Sequence, residues 1–137
     1  MATKTDLERI VNASSQIAVA TLTEDGTAPD VRIVLGVYDA ENDLVLFMSS
    51  GKAEKAAEIA AHKQAAFATP QFGQNDVMRV RKATVTKITP TQAQQTLYTT
   101  KYPQTAKYAA HSDFFALAFD QAEVTIAGTA STVDMAD

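Results

Sequence analysis

Arg32 is the single charged residue in Arg32-Ile33-Val34-Leu35, a run that otherwise reads as a buried strand. Further on, Phe47-Met48-Ser49-Ser50-Gly51-Lys52-Ala53-Glu54-Lys55 reads as a strand end, a small polar loop and a helix start. Helix N-termini present unpaired N–H groups and the positive end of a dipole. Ser49 and Ser50 add hydroxyl donors. Lys52 and Lys55 lie about one turn apart, so both reach the same end of the helix. If the strand bearing Arg32 pairs with the strand ending at Ser49, the guanidinium comes near that loop. Together these groups suit one phosphate monoester. The competing interpretation is an edge-strand Arg with two solvated helix lysines, because Lys is common at exposed helix positions.

Other motifs carry less. The five glycines do not form a dinucleotide-binding fingerprint. Ser50-Gly51-Lys52-Ala53 has the Gly-Lys of a phosphate loop, but Ala53 stands where Ser or Thr is needed and Leu46 where the first Gly would be. Glu58 and His62, four apart on the expected helix, read as a surface pair, too few for a metal site. His111-Ser112-Asp113 holds three triad residue types, but adjacent residues do not reach one another as a triad does. It reads as a loop at a strand start. No side chain stands out as a catalytic acid, base or nucleophile, and no metal site is expected.

The 137 residues suit one domain, 1–137. With 46% hydrophobic and 20% charged residues the composition is globular, and the core must form without disulfides because there is no Cys. A net charge of −4 argues against a broad nucleic-acid or anionic-membrane footprint. No targeting segment or membrane-length apolar run is visible, so the expectation is a cytoplasmic protein.

The elements that position these residues follow from periodicity. Leu7, Ile10 and Val11 mark a helix behind an Asp6 cap. Ile17–Thr23 reads as a strand, Asp25-Gly26 as a hairpin turn, and Ala28–Tyr38 as one long strand. Leu44–Ser49 follows, completing an antiparallel meander. Ala53, Ala56, Ala57, Ala60 and Ala61 form a small-residue stripe from about Lys52 to His62, suited to a helix lying close to a sheet. Ala65–Gln71 and Val77–Ile88 are strands. Thr89-Pro90-Thr91-Gln92 starts a helix with Thr89 as cap, running to about Thr100, and a short helical piece follows to Ala110. Phe114–Phe119 and Glu123–Ala130 close the chain, and the tail from Ser131 should fray. The expected fold is mainly β (α+β): a small antiparallel barrel of six or seven strands with two or three helices.

Ile17–Ile88 resembles the core of the pyridoxamine 5′-phosphate oxidase-like family, the FMN-binding split β-barrels. Ala20-Thr21-Leu22-Thr23-Glu24-Asp25-Gly26-Thr27 is similar to its opening hairpin. Arg32-Ile33-Val34-Leu35 is similar to its Arg-x-Val-Leu strand. Phe47-Met48-Ser49, with Lys55 six positions after Ser49, is similar to its aromatic-x-Thr strand end and phosphate-binding Lys. The resemblance implies a homodimer with FMN in an interface cleft. It implies that Arg32 and Lys55 bind the FMN phosphate, that Ser49 donates to the phosphate or ribityl chain, and that the main chain of Ile33 and Val34 faces the isoalloxazine. Ser50 and Lys52 are candidates from the local argument. Residues from the second subunit, such as Gln71, Phe72, Tyr108 or Phe114, would shape the pocket. The chain has no Trp and no Arg after Arg81, so it resembles a short relative and not the vitamin-forming oxidase. Ala83 and Met78 also replace a Gly and a flavin-contacting Gln common in the family. The expectations are an FMN-dependent oxidoreductase of unknown substrate, a non-catalytic flavin carrier or sensor, or a flavin-free structural dimer.

Overall fold

A computed structural model describes residues 1–49 and 54–136, with the side chains of Glu54 and Lys55 outside the description. In chain order the elements are α1 Lys4–Ala13, β1 Ile17–Leu22, β2 Pro29–Val34, β3 Gly36–Asp39, β4 Leu44–Ser49, α2 Glu54–Ala61, β5 Gln64–Ala68, β6 Val77–Ile88 and α3 Gln92–Lys101. Two single-turn 3₁₀ segments, Pro103–Thr105 and Ala109–His111, lead to β7 Asp113–Phe119, β8 Gln121–Ile126 and β9 Thr129–Asp134. Every pairing is antiparallel.

Seven strands follow the order β2-β1-β5-β6-β7-β4-β3, and the β8–β9 hairpin pairs onto β6. The first and last strands of that path are consecutive in the chain, joined through Leu35 alone. The sheet therefore curls until its two ends are halves of one bent strand. This is the split antiparallel barrel expected from the sequence.

The bend overturns the simple meander. Ala28–Tyr38 is not one strand: β2 pairs with β1, while β3 pairs with β4. Gly36 marks the corner. A Cβ there would overlap the buried Ile17 side chain. Its carbonyl accepts from Lys101 Nζ at 2.8 Å and Tyr102 Oη at 2.5 Å. Lys101 also donates to the carbonyls of Val11 and Ser14 at 3.0 and 2.7 Å. One ammonium thus ties the end of α1 to the corner. Burial pulls its pKa down to about 8.

The interior has two apolar clusters. The larger fills the barrel under α1, with Leu7, Ile10 and Val11 against residues such as Phe47 and Phe115, whose rings stack at 5.3 Å. The smaller lies under α3, with Tyr98 edge-on to Phe114 at 5.5 Å.

Several local expectations are corrected. Thr3, not Asp6, caps α1, with Asp6 closing the capping box. Thr91, not Thr89, caps α3, with Gln94 as its box partner. Both shifts place a Thr hydroxyl three residues before a side chain that returns the bond. The tail does not fray: β9 pairs with β8 along its whole length, and Val133 and Met135 are buried. On α2 the alanine stripe is not the packed face. Ala57, Ala60 and Ala61 are exposed, while Glu58 and Ile59 are buried. Ile59 has more apolar surface to lose than any of these alanines, and Glu58 has partners beneath the helix.

Candidate functional site

Arg32 alternates along β2 with two outward residues. Val31 is 65% and Ile33 60% exposed, so period-2 geometry turns Asp30 and Arg32 to the opposite face. There β1 presents Val19 opposite Arg32 and Thr21 opposite Asp30. α2 packs across β1 and β6 and brings Glu58 onto the same spot. Arg32 Nη2 donates to Asp30 Oδ2 at 2.6 Å and to Glu58 Oε1 at 2.9 Å. Thr21 Oγ1 donates to that same Glu58 oxygen at 2.8 Å. Among the described residues, the buried Nε–H of Arg32 has no acceptor.

The electrostatics are set by burial and crowding. Desolvation pushes the Glu58 carboxyl up. The Thr21 hydroxyl opposes this, hydrogen-bonding contact with Asp30 adds to it, and Arg32 again opposes it. With both carboxylates ionised, the guanidinium leaves a net negative charge in a partly dry pocket, which is costly. Glu58 is therefore no surface partner of His62, whose Nε2 lies 3.0 Å from the Glu24 carbonyl oxygen.

The other expected site residues fall unequally. Arg32 does reach α2, but through Glu58 and not through pairing of its strand with β4. Ile33 presents its side chain outward, and Val34 is buried at the end of β2. Ser49 ends β4 opposite Asp113 of β7. Ser50 and Lys52 lie outside the described residues. Lys55 lies in the first turn of α2, with its side chain outside the description. Phe114 is buried in the second core cluster, whereas Tyr108 is exposed.

Two features have no clear signature in the sequence. One is the Glu58 contact. An acidic residue beside Ile59 in an alanine-rich helix is a faint signal at best, because helical spacing cannot say which face meets the sheet. The other is a cavity of about 430 Å³ between α2 and the sheet, with Lys63, Lys87 and Asp113 on its wall. Lys87 and Asp113 pair at 3.3 Å. Among the described residues no group of three or more His, Cys, Asp or Glu is placed to hold a metal ion.

The outer face of β2, β1 and β5 is largely apolar where an antiparallel sheet facing water should be polar, and β6 borders it with Arg79 and Arg81. Two adjoining shallow hollows, about 280 and 220 Å³, run across it. Ala18, Ala20, Ala66 and Ala68 floor them, with Val31 to one side and Arg79 and Arg81 to the other.

A split antiparallel barrel with a strand-borne Arg set against a helix defines the class of protein. The family follows from the sequence as a whole: the pyridoxamine 5′-phosphate oxidase profile matches residues 3–126, and the chain belongs to that family. No curated protein matches the sequence. Among solved structures, a conserved hypothetical protein from Mycobacterium tuberculosis is similar at a TM-score of 0.74 and 11% identity, covering 90% of this chain and 84% of that one. General stress protein 26 from Bacillus anthracis is similar at a TM-score of 0.73 and 10% identity, covering 96% and 98%. A heme binding protein from Mycobacterium smegmatis is similar at 0.73 and 16%, covering 98% of this chain and 59% of that one. At these identities the likeness is one of fold.

Proposed function

We propose that this protein binds FMN at a homodimer interface and works in the cytoplasm as an oxidoreductase, its substrate unspecified. The observation that carries the reading is Arg32. In a chain of this family, its guanidinium stands against α2 with a buried Nε–H that has no acceptor among the described residues. An unspent donor on the guanidinium to which the resemblance assigns the phosphate fits an incoming phosphate oxygen. The carboxylates on Nη2 oppose an anion, and protonation of Glu58 lifts that opposition.

Arg32 and Lys55 would hold the phosphate, with Ser49, Ser50 and Lys52 beside it and the main chain of Ile33 and Val34 along the ring system. The flavin would supply hydride and electron transfer, and the protein binding and orientation. The apolar outer face supports the dimer. Exposed Val31 and Ile33, with Val31 bordering an alanine-floored hollow, match the apolar centre of a protein–protein interface, with Arg79 and Arg81 toward its rim.

The test is the absorption spectrum of the purified protein before and after FMN, followed by calorimetric titration with FMN and riboflavin. A flavin spectrum is expected, with FMN favoured by about 2–4 kcal/mol through its charge-assisted bonds. Equal affinity for both ligands would overturn the phosphate assignment. A haem spectrum would overturn the cofactor. Bound flavin without turnover of any donor–acceptor pair would point instead to a carrier or sensor.

A further inference from the structure

We propose that Asp30 and Glu58 take up one proton between them as a phosphate monoester reaches Arg32, and that the phosphate stays only while that proton is in place. The inference rests on the FMN reading and adds a proton to its binding equilibrium. Both carboxylates bond the same nitrogen, Nη2, at 2.6 and 2.9 Å, so they are close neighbours. Glu58 is 5% exposed and takes a further hydrogen bond from Thr21. Like charges crowded on one cation, one of them buried, do not both ionise freely.

The charges around Glu58 define the effect. β2 contributes Asp30 and Arg32, and β1 contributes only the Thr21 hydroxyl. His62, one turn along α2, is engaged with the Glu24 carbonyl. Lys63, Lys87 and Asp113 lie with Ala56, Ile59 and Ala60 on the cavity beside α2. None of those four is among the groups that shift Glu58. Burial and the Asp30 contact push Glu58 toward its protonated form, and Arg32 and Thr21 pull it back. A phosphate beside Arg32 adds negative charge and tips that balance toward protonation. Anion binding then takes up a proton and weakens as pH rises.

The experiment titrates wild type, Glu58→Gln and Asp30→Asn with FMN at pH 6, 7 and 8, by calorimetry in two buffers of different ionisation enthalpy. Wild type should take up a proton on binding and lose affinity by up to about tenfold per pH unit, the limit for one linked proton. Glu58→Gln should take up less and keep its affinity at pH 8. Asp30→Asn, at a half-exposed position, should shift in the same direction and guards against a misfolded Glu58 variant. The second ionisation of the phosphate, near pH 6, is common to all three proteins and cancels in the comparison. Tight FMN binding with equal proton uptake in wild type and both variants overturns this inference and leaves the flavin reading intact. No FMN binding by any of them at any pH overturns the flavin reading, and anion admission with it. The carboxyl carbon-13 titration of Glu58 in the free protein reads the shared proton separately. A Glu58 that titrates like an ordinary exposed carboxyl overturns the shared proton.

Discussion

At the residue scale, the phosphate assignment predicts that the two lysines differ. The spacing from Phe47 and Ser49 selects Lys55, in the first turn of α2, over Lys52. Lys55→Ala should weaken FMN binding by roughly tenfold or more, as expected for a charged hydrogen bond of about 1.5–3 kcal/mol. Lys52→Ala should weaken it less and chiefly at low salt, where long-range fields are unscreened. Arg32→Lys should also weaken it. An ammonium can replace the contacts of Nη2 with Asp30 and Glu58, but it has no counterpart of the Nε–H. A flavin titration of the three variants at two salt concentrations decides the matter. Loss of affinity on Lys52→Ala but not on Lys55→Ala would shift the register of the helix start.

At the element scale, the β2–β3 corner and the β1–β2 hairpin set where Arg32 points. Gly36→Val should destabilise the fold by about 1–3 kcal/mol through overpacking against Ile17, read as a lowered denaturation midpoint. Lys101→Met should cost about 1.5–3 kcal/mol, because the carbonyls of Val11 and Ser14 lose a charged donor. The hairpin turn is pH-sensitive. Hydrogen bonds from the Thr23 hydroxyl, the Thr27 N–H and the Thr27 hydroxyl lower the Asp25 pKa to about 2. The folded pKa lies below the unfolded value of about 3.9, so the unfolded chain binds more protons between them. The turn's contribution is complete above about pH 4 and is lost as pH falls toward 2. Asp25→Asn should flatten that acid limb of the denaturation profile. An unchanged limb would remove the turn from the account.

At the scale of the whole molecule, the apolar outer face predicts a symmetric dimer. Ile33→Asp places a charge on the β2 side of that face, at a position already 60% exposed, so the subunit fold should survive. Sedimentation should then show a dimer for wild type, with an interface beyond roughly 1,000 Å² in total, and a monomer for the variant. A wild-type monomer with flavin still bound would overturn the interface assignment. A variant that stays dimeric would place the interface elsewhere.

What the sequence determined by itself is local and periodic. Alternation marked the strand that carries Arg32, the Asp25-Gly26 turn, the end of β4 at Ser49 and the helix that follows. These specified a small antiparallel barrel, and the resemblance of its motifs to the family implied a split one. Capping was legible in kind but misplaced, because Thr3 and Thr91 each lie a few residues from another plausible cap. Only the tertiary structure decided what lies far apart in the chain. The corner at Leu35 is invisible to a period-2 pattern that continues across it, and it separates β2 from β4. Which face of α2 is buried depends on partners in β1 and β2, so Glu58, which helical spacing pairs with His62 at the surface, is instead buried against Arg32 and Thr21. The β9 pairing likewise depends on an edge that only β8 supplies. Residue spacing records neighbours along a helix or strand. It does not record which distant side chain meets a given one across the fold, and the partners of Arg32 are set by those meetings.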